Sequence, residues 1–447
     1  MSNKYQAYAK YKDSGVEWLG EIPNHWMSTE LKRYSVVQGG YAFSSDSFIE
    51  AGKAVIRIGD IKQDGSVSLE SCKYIKSENA DQYSQYQVNN GDLLMAMTGA
   101  TIGKVGRFKE NEPALLNQRV GSFKCNRIYL NYRFFWYVLN SSGYQEYIKI
   151  TAFGGAQPNI SDSGMVGYQS AFPLENEQTK IAQFLDHETA KIDTLIEKQR
   201  RLIELLKEKR QAVISHAVTK GLNPNAPMKD SGVEWLGEVP EHWKLIKVSY
   251  VGQILNGSTP DKNNLSYWTD GTIPWLSSSC LNSDIINEPS SYITKNAYDS
   301  SSVELIPSGA LLVGMVGQGK TRGTSAILSI DSCINQNMAA IIPNSKININ
   351  FIFYIFQSMY QDLRELGRGG NQAALNCEII ASVRIPLPSI EEQNKIVRFL
   401  ENLLNKLELA SHLGLEQIAL LQERRTALIS AAVTGKIDVR HWQGECA

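Results

Sequence analysis

Two long stretches of the chain set apolar residues at heptad spacing within an otherwise charged sequence. From about Glu177 to Val218 there is neither proline nor glycine, and Ile181, Leu185, Ile192, Leu195, Leu202, Leu206 and Val213 fall on one stripe. At 1.5 Å per residue the helix this predicts is roughly 60 Å long, and it cannot bury its stripe alone. Ile396, Leu400, Leu403, Leu407, Ala410, Leu421 and Leu428 form a second stripe of the same kind. The two helices are expected to pair as an antiparallel coiled coil; the alternative is that each packs only on its own globular domain. Gly414 interrupts the second helix at a cost of about 1 kcal/mol, which predicts a local bend or a close approach.

Ahead of each stripe the pattern shortens. Residues 54–58, 92–97 and 311–316 are brief apolar runs bounded by glycine, as in buried strands, and residues 132–139 and 351–356 begin helices that pack on them. Pro173 and Pro386 mark the exits. The expected fold class is α+β: two tandem pseudo-symmetric halves, each a globular α/β domain followed by a long helix. The expected boundaries are a first domain over 1–172, a central helix over 173–221, a linker and second domain over 222–388, and a second helix with its tail over 389–447.

The halves are copies. KDSGVEWLGEIPNHW at 12–26 returns as KDSGVEWLGEVPEHW at 229–243, a shift of 217 residues. Residues 91–94 (GDLL) answer to 309–312 (GALL), Asn117-Gln118 to Asn335-Gln336, and 177–185 (EQTKIAQFL) to 392–400 (EQNKIVRFL). So does 212–219 (AVISHAVT) to 427–434 (ALISAAVT). Between these anchors the halves share little. The period exceeds that of any solenoid repeat. A duplicated domain kept its scaffold while its recognition surface diverged, and the chain's end at 435–440 sits where a third copy would begin, so the halves are expected to close into a ring of order two.

Composition supports two cores: 447 residues, 43% hydrophobic. No apolar run reaches membrane-spanning length and residues 1–4 begin no signal peptide, so a soluble, cytoplasmic protein without membrane contact is expected. Cys72, Cys125, Cys280, Cys333, Cys377 and Cys446 show no CxxC pairing and six histidines are scattered; reduced, packed thiols are expected, with no metal and no cofactor.

One motif invites a false reading. Residues 314–321 (GMVGQGKT) fit GxxxxGK[ST], but a P-loop must open a helix whose N-terminal amides hold the phosphates. The continuation at 322–330 is β-branched, and residues 98–106 of the first half keep the glycines and lysine without the motif. A glycine-rich hairpin carrying a cation in each half, Lys104 and Lys320, is the better reading. GxSxG, HExxH and GxGxxG after a strand are absent, and no carboxylate spacing singles out an acid/base pair.

The repeated signature, the divergent regions with their GDLL-like and Asn-Gln elements, and the two EQxKI…FL helices resemble the specificity subunit of type I restriction-modification systems, the HsdS family, over essentially the whole chain. Departures are Gly414 and Ala310, where the first half has Asp92. The resemblance implies a non-catalytic protein in which each divergent region is a target recognition domain reading half of a bipartite double-stranded DNA site. It also implies helices that set the spacing and dock two methyltransferase subunits, joined afterwards by motor-nuclease subunits. A duplicated enzyme and a coiled-coil adaptor that never touches DNA are the alternatives.

A net charge of −1 is low for a nucleic-acid binder, so cations must be local. Bases are read by Gln, Asn, Arg and Ser/Thr on flexible backbone. The first-half candidates are Gln38, Tyr41, Ser44, Ser45, Arg57, Lys62, Thr98, Lys104, Arg107, Gln118, Arg119, Gln157 and Asn159, with Gly154 and Gly155 permitting close approach to phosphate. The second-half candidates are Asn256, Ser258, Thr259, Lys262, Ser277, Ser278, Gln318, Lys320, Arg322, Gln336, Arg368, Gly369, Gly370, Asn371 and Gln372.

Overall fold

The structure, a computed structural model, describes residues 5–317, 319–366 and 374–444. The chain divides into two compact units: residues up to Gln199 with those from Leu415 onward, and Arg200–Gly414. Each unit holds one globular domain, the front part of one long helix and the rear part of the other.

In the first unit, four antiparallel strands lie in the order Ser35–Gly39, Val120–Cys125, Leu93–Ala96, Val105–Arg107. A second four-stranded sheet runs Lys73–Ile75, Lys53–Ile56, Ala114–Leu116, Gln87–Val88, with its central pair parallel. The second unit repeats the plan. Gly252–Asn256, Met338–Pro343, Leu311–Gly314, Ser325–Leu328 and Ile285–Ile286 form a five-stranded sheet, and Ser291–Ile293, Ile273–Leu276 and Cys333–Ile334 a three-stranded one, whose last pair is parallel. The apolar runs at 93–96 and 311–314 are fully buried central strands, which is why they read as continuous hydrophobic blocks.

The long helices run Glu175–Lys220 and Ile390–Val433. In the first unit, Ile181, Leu185, Ile192 and Ile196 share a core with Leu428, Ile429, Ala432 and Val433. Asp193 accepts from Arg425 at 2.9 Å and Gln199 donates to Gln417 at 2.6 Å, so rising numbers on one helix meet falling numbers on the other: the pairing is antiparallel. In the second unit Ile214, Ala217 and Val218 pack with Ile396, Leu400, Leu404 and Leu407. Each helix also packs on its own domain, but not only there: the shared cores set aside the alternative in which each helix meets nothing but its own domain.

The stripe needs one correction. Leu195 and Leu202 are 49% and 45% exposed, while Ile196 and Ile203 are buried. A strict seven-residue repeat drifts by about 20° per heptad on a helix of 3.6 residues per turn, so a stripe counted from Ile181 slips off the buried face within about four turns, at Leu195. The second helix continues through Gly414 without a break, and that glycine is buried.

Each domain is tied at a neck. The incoming strand Met27–Glu30 pairs with the outgoing Gln169–Phe172, Met27 opposite Phe172; Lys244–Lys247 pairs likewise with Arg384–Leu387, Lys244 opposite Leu387. There the repeated signature meets the repeated EQ. Trp26 Nε1 donates to Glu177 Oε1 at 3.2 Å and His25 Nε2 lies 2.8 Å from Oε2; Trp243 and His242 hold Glu392 at 3.1 and 3.0 Å. Gln178 accepts from the Asn131 amide at 2.8 Å and donates to the carbonyls of Tyr129 and Pro173. Gln393 does the same with Asn348, Lys346 and Pro388. Asn131 and Asn348 are themselves N-caps of the helices Tyr132–Leu139 and Ile349–Ser358, so one joint fixes the long helix, the domain helix and the signature together.

This joint predicts a stability effect. Gln393 is fully buried, and Gln393→Leu leaves one amide and two carbonyls without their partner, a loss of about 1–3 kcal/mol. Calorimetry of the variant is expected to show one transition lowered by about 3–10 °C. An unchanged melting profile would mean that the joint does not hold the helix.

The described cysteines are free, and burial pushes the thiols up, Cys72 to about 11 and Cys125 to about 12, so they stay protonated; Cys446 lies outside the described residues. Among the described residues no helix is long and apolar enough to cross a membrane, and no cluster of metal-ligating side chains occurs.

Candidate nucleic-acid interface

Close packing where the strands Ser35–Gly39, Leu93–Ala96 and Val120–Cys125 end side by side gathers a set of polar loops in the first unit. Gly40 lies so near the Asn117 carbonyl that a Cβ there would stand 2.2 Å from it. That approach lets Tyr41 N donate to Leu116 O and Gln118 N to Tyr41 O, both at 2.9 Å. Next to them Met97 N donates to Arg119 O, Ile160 N to Met97 O and Gly99 N to Pro158 O. Thr98 bridges to Asn159, and Phe153 and Asn159 close the loop that carries Gly154, Gly155 and Gln157. One rim thus brings together Tyr41, Thr98, Gln118, Arg119, Gly154, Gly155, Gln157 and Asn159, eight of the predicted residues. Gln118, Arg119 and the loop from Gly154 to Gln157 are exposed.

The second unit builds the same rim with other side chains. A Cβ on Gly257 would stand 2.0 Å from the Asn335 carbonyl, the same constraint between the corresponding residues of the second copy. Ser258 N donates to Ile334 O at 2.8 Å, Met315 N to Asn337 O at 2.8 Å, and Leu375 N to Met315 O at 2.9 Å. Thr259 Oγ1 hydrogen-bonds Gln336 Oε1. Asn256, Ser258, Thr259 and Gln336 therefore lie together. The Asn-Gln landmark is explained: its asparagine carbonyl abuts the glycine, and its glutamine stands exposed on the rim.

The cation-bearing hairpins exist in both units, and neither is a P-loop. Leu93–Ala96 pairs antiparallel with Val105–Arg107, and Leu311–Gly314 with Ser325–Leu328, so the chain past Lys320 enters a strand. Side chains that sequence reasoning missed hold each turn from a following helix, Ser142–Thr151 in the first unit and Tyr360–Leu366 in the second. Gln145 Nε2 donates to Gly103 O at 2.9 Å beside Lys104. Arg364 Nη1 donates to the carbonyls of Gly319 and Arg322, and Tyr360 OH to that of Lys320 at 2.9 Å, leaving the Lys320 side chain exposed. No common residue type marks these clamps, so no repeat comparison would find them.

The other candidates lie elsewhere on these strands and loops, Arg57 and Ser277 one residue past the Ile56 and Leu276 carbonyls that accept from the Asn117 and Asn335 amides. Gln38 lies within the strand Ser35–Gly39 opposite Ser122. Ser44 and Ser45 form an exposed turn after a cluster of Tyr41, Phe43, Tyr83 and Tyr86, whose rings pack at 4.8–5.4 Å. Arg57 is spent on Ser71 O, and Lys62 reaches Gly59 O at 3.4 Å. Arg107 sits at the far end of its hairpin from Thr98 and, with Trp136, Arg133 and Arg425, lines a cavity of about 280 Å³ against the helices. Lys262 is on an exposed loop, Ser277 bonds Ser279, Ser278 opens a short turn, and Arg322 is buried. Gln318 and Arg368, Gly369, Gly370, Asn371 and Gln372 lie outside the described residues.

The chain resembles known proteins in sequence and in fold. The family model for the type I restriction modification DNA specificity domain matches residues 23–205 and again 240–417. A type I restriction enzyme specificity subunit of Escherichia coli is 30% identical over 178 residues, 39% of this chain and 41% of that protein. A putative one from Methanocaldococcus jannaschii is 24% identical over 430 residues, 94% of this chain and 96% of that protein. A solved structure from work on type I complex assembly and conformational transition matches with a TM-score of 0.71 at 16% identity, over 93% of this chain and 99% of that one. The HsdS subunit of Thermoanaerobacter tengcongensis matches with a TM-score of 0.57 at 15% identity, over 93% and 98%. These two structures share the fold, and the two segments matched by the family model span well over half of the sequence, so the chain belongs to the DNA specificity subunits of type I restriction-modification systems.

Proposed function

We propose that each unit reads one half of a bipartite duplex DNA site through its rim, and that the paired helices set the spacing between the halves. The same helices dock two methyltransferase subunits, to which motor-nuclease subunits are added. The observation that carries this is the repeated rim: one backbone geometry, built on Gly40 against Asn117 and Gly257 against Asn335, presents different polar side chains in the two units. Base edges are distinguished by such side chains, while glycine turns and lysines engage phosphate. The chain performs no chemistry itself. The test is a DNA footprint of the assembled complex. Two protected blocks with an unprotected gap are expected; a single block, or methylation by the chain alone, would refute the reading.

Lys320 supplies a phosphate contact in this scheme. Lys320→Ala is expected to weaken DNA binding on every sequence alike and to flatten the salt dependence by about one unit of logarithmic slope. Titrations at several salt concentrations measure it. ATP binding that the substitution abolishes would instead restore the P-loop reading.

A further inference from the structure

The two long helices carry the same Lys-x-x-x-Phe step, Lys180 to Phe184 and Lys395 to Phe399, yet the two phenylalanines differ in exposure. Phe184 is fully buried. Tyr5 and Trp442 pack edge-on against it at 5.3 and 5.6 Å between ring centres, and Lys180 Nζ donates to the Arg440 carbonyl at 2.7 Å. The chain's own tail therefore seats a tryptophan over the phenylalanine and hangs its backbone on the lysine. In the second unit Phe399 is 44% exposed. It lines an open, mostly apolar groove of about 400 Å³ with Ala212, Val213, His216 and Leu222, and Lys395 is exposed one turn away.

We propose that this groove is the seat of an aromatic side chain on a short segment of a methyltransferase subunit, which rests on the functional reading above. The first unit shows what the site accepts: a large aromatic ring against the phenylalanine, with a carbonyl two residues earlier taken by the lysine. A second copy of this chain is a poor donor, because its Trp442 is already spent on its own Phe184. The two methyltransferase subunits are therefore held unequally. The one beside Arg200–Gly414 gains an aromatic anchor at Phe399, and the other finds the equivalent seat filled by Trp442.

Native mass spectrometry of the assembled complex tests this with Phe399→Asp and the milder Phe399→Ala. Wild type is expected to hold two methyltransferase subunits. Phe399→Asp should hold one firmly and the other about tenfold or more weakly, the scale of an interface aromatic anchor, and Phe399→Ala should shift it in the same direction. A photo-crosslinker, Phe399→p-benzoylphenylalanine, is expected to capture the methyltransferase subunit. Unchanged affinities with both substitutions, or a crosslink to a second copy of this chain, would overturn the proposal while leaving the functional reading intact. Failure of the wild type to gather any methyltransferase subunit, with no two-block footprint, would remove that reading and this proposal with it.

Discussion

Exchanging residues 27–172 for the matching region of a relative is expected to change one half of the methylated sequence and leave the other half untouched. The ends of the exchanged segment lie side by side, since Met27 pairs with Phe172 at the neck. The joint that orients the long helix is mostly outside it: His25, Trp26, Glu177 and Gln178 all stay with the recipient. The donor must bring an asparagine at the position of Asn131, whose amide and side chain meet Gln178 and Thr179. Each mismatched base pair costs about 1–3 kcal/mol, so a half-site of several bases changed together removes recognition of the old sequence altogether. Sequencing the methylated sites of cells carrying the hybrid measures the outcome. New bases in both halves would mean that the two rims do not read independently.

Much of this plan was legible because the chain is its own comparison. Landmarks kept across shifts of 215 to 218 residues marked scaffold, and the asparagine of the Asn-Gln element, the signature and EQ all proved to be structural joints. Their roles were not legible, because each depends on a partner far away in sequence. Trp26 meets Glu177 across 151 positions, and Gly40 is forced by a carbonyl at Asn117 that no local pattern announces. The helix stripe was seen, but its phase was not: a heptad count puts Leu195 inward where the 3.6-residue turn puts Ile196. Among the candidates, residue type alone could not separate Arg119, exposed on the rim, from Arg107, turned towards the helices. Both are arginines beside buried strands, and only the sheet register, Leu93 opposite Arg107 and Val120 opposite Ala96, decides which end each occupies.

Lengthening both long helices by one turn is expected to lengthen the nonspecific spacer of the DNA target while preserving both half-site sequences. The place for the insertion follows from packing. Val218 and Thr219, near the end of the first helix, are buried in the second unit, so extra residues there would break its core. The division at Gln199 and Arg200 on one helix and Gly414 and Leu415 on the other leaves every intra-unit contact in place. Because the pairing is antiparallel within each unit, four residues must enter at both points for neither register to slip. Four residues add about 6 Å and turn the helix by about 40° beyond a full revolution. A B-form base pair rises about 3.4 Å, so the spacer should grow by one or two base pairs. An insertion in one helix alone should instead mismatch the paired faces and lose most of the activity. Methylome sequencing of the doubly lengthened variant decides the matter: full activity on an unchanged spacer would mean that something other than these helices sets the distance between the half-sites.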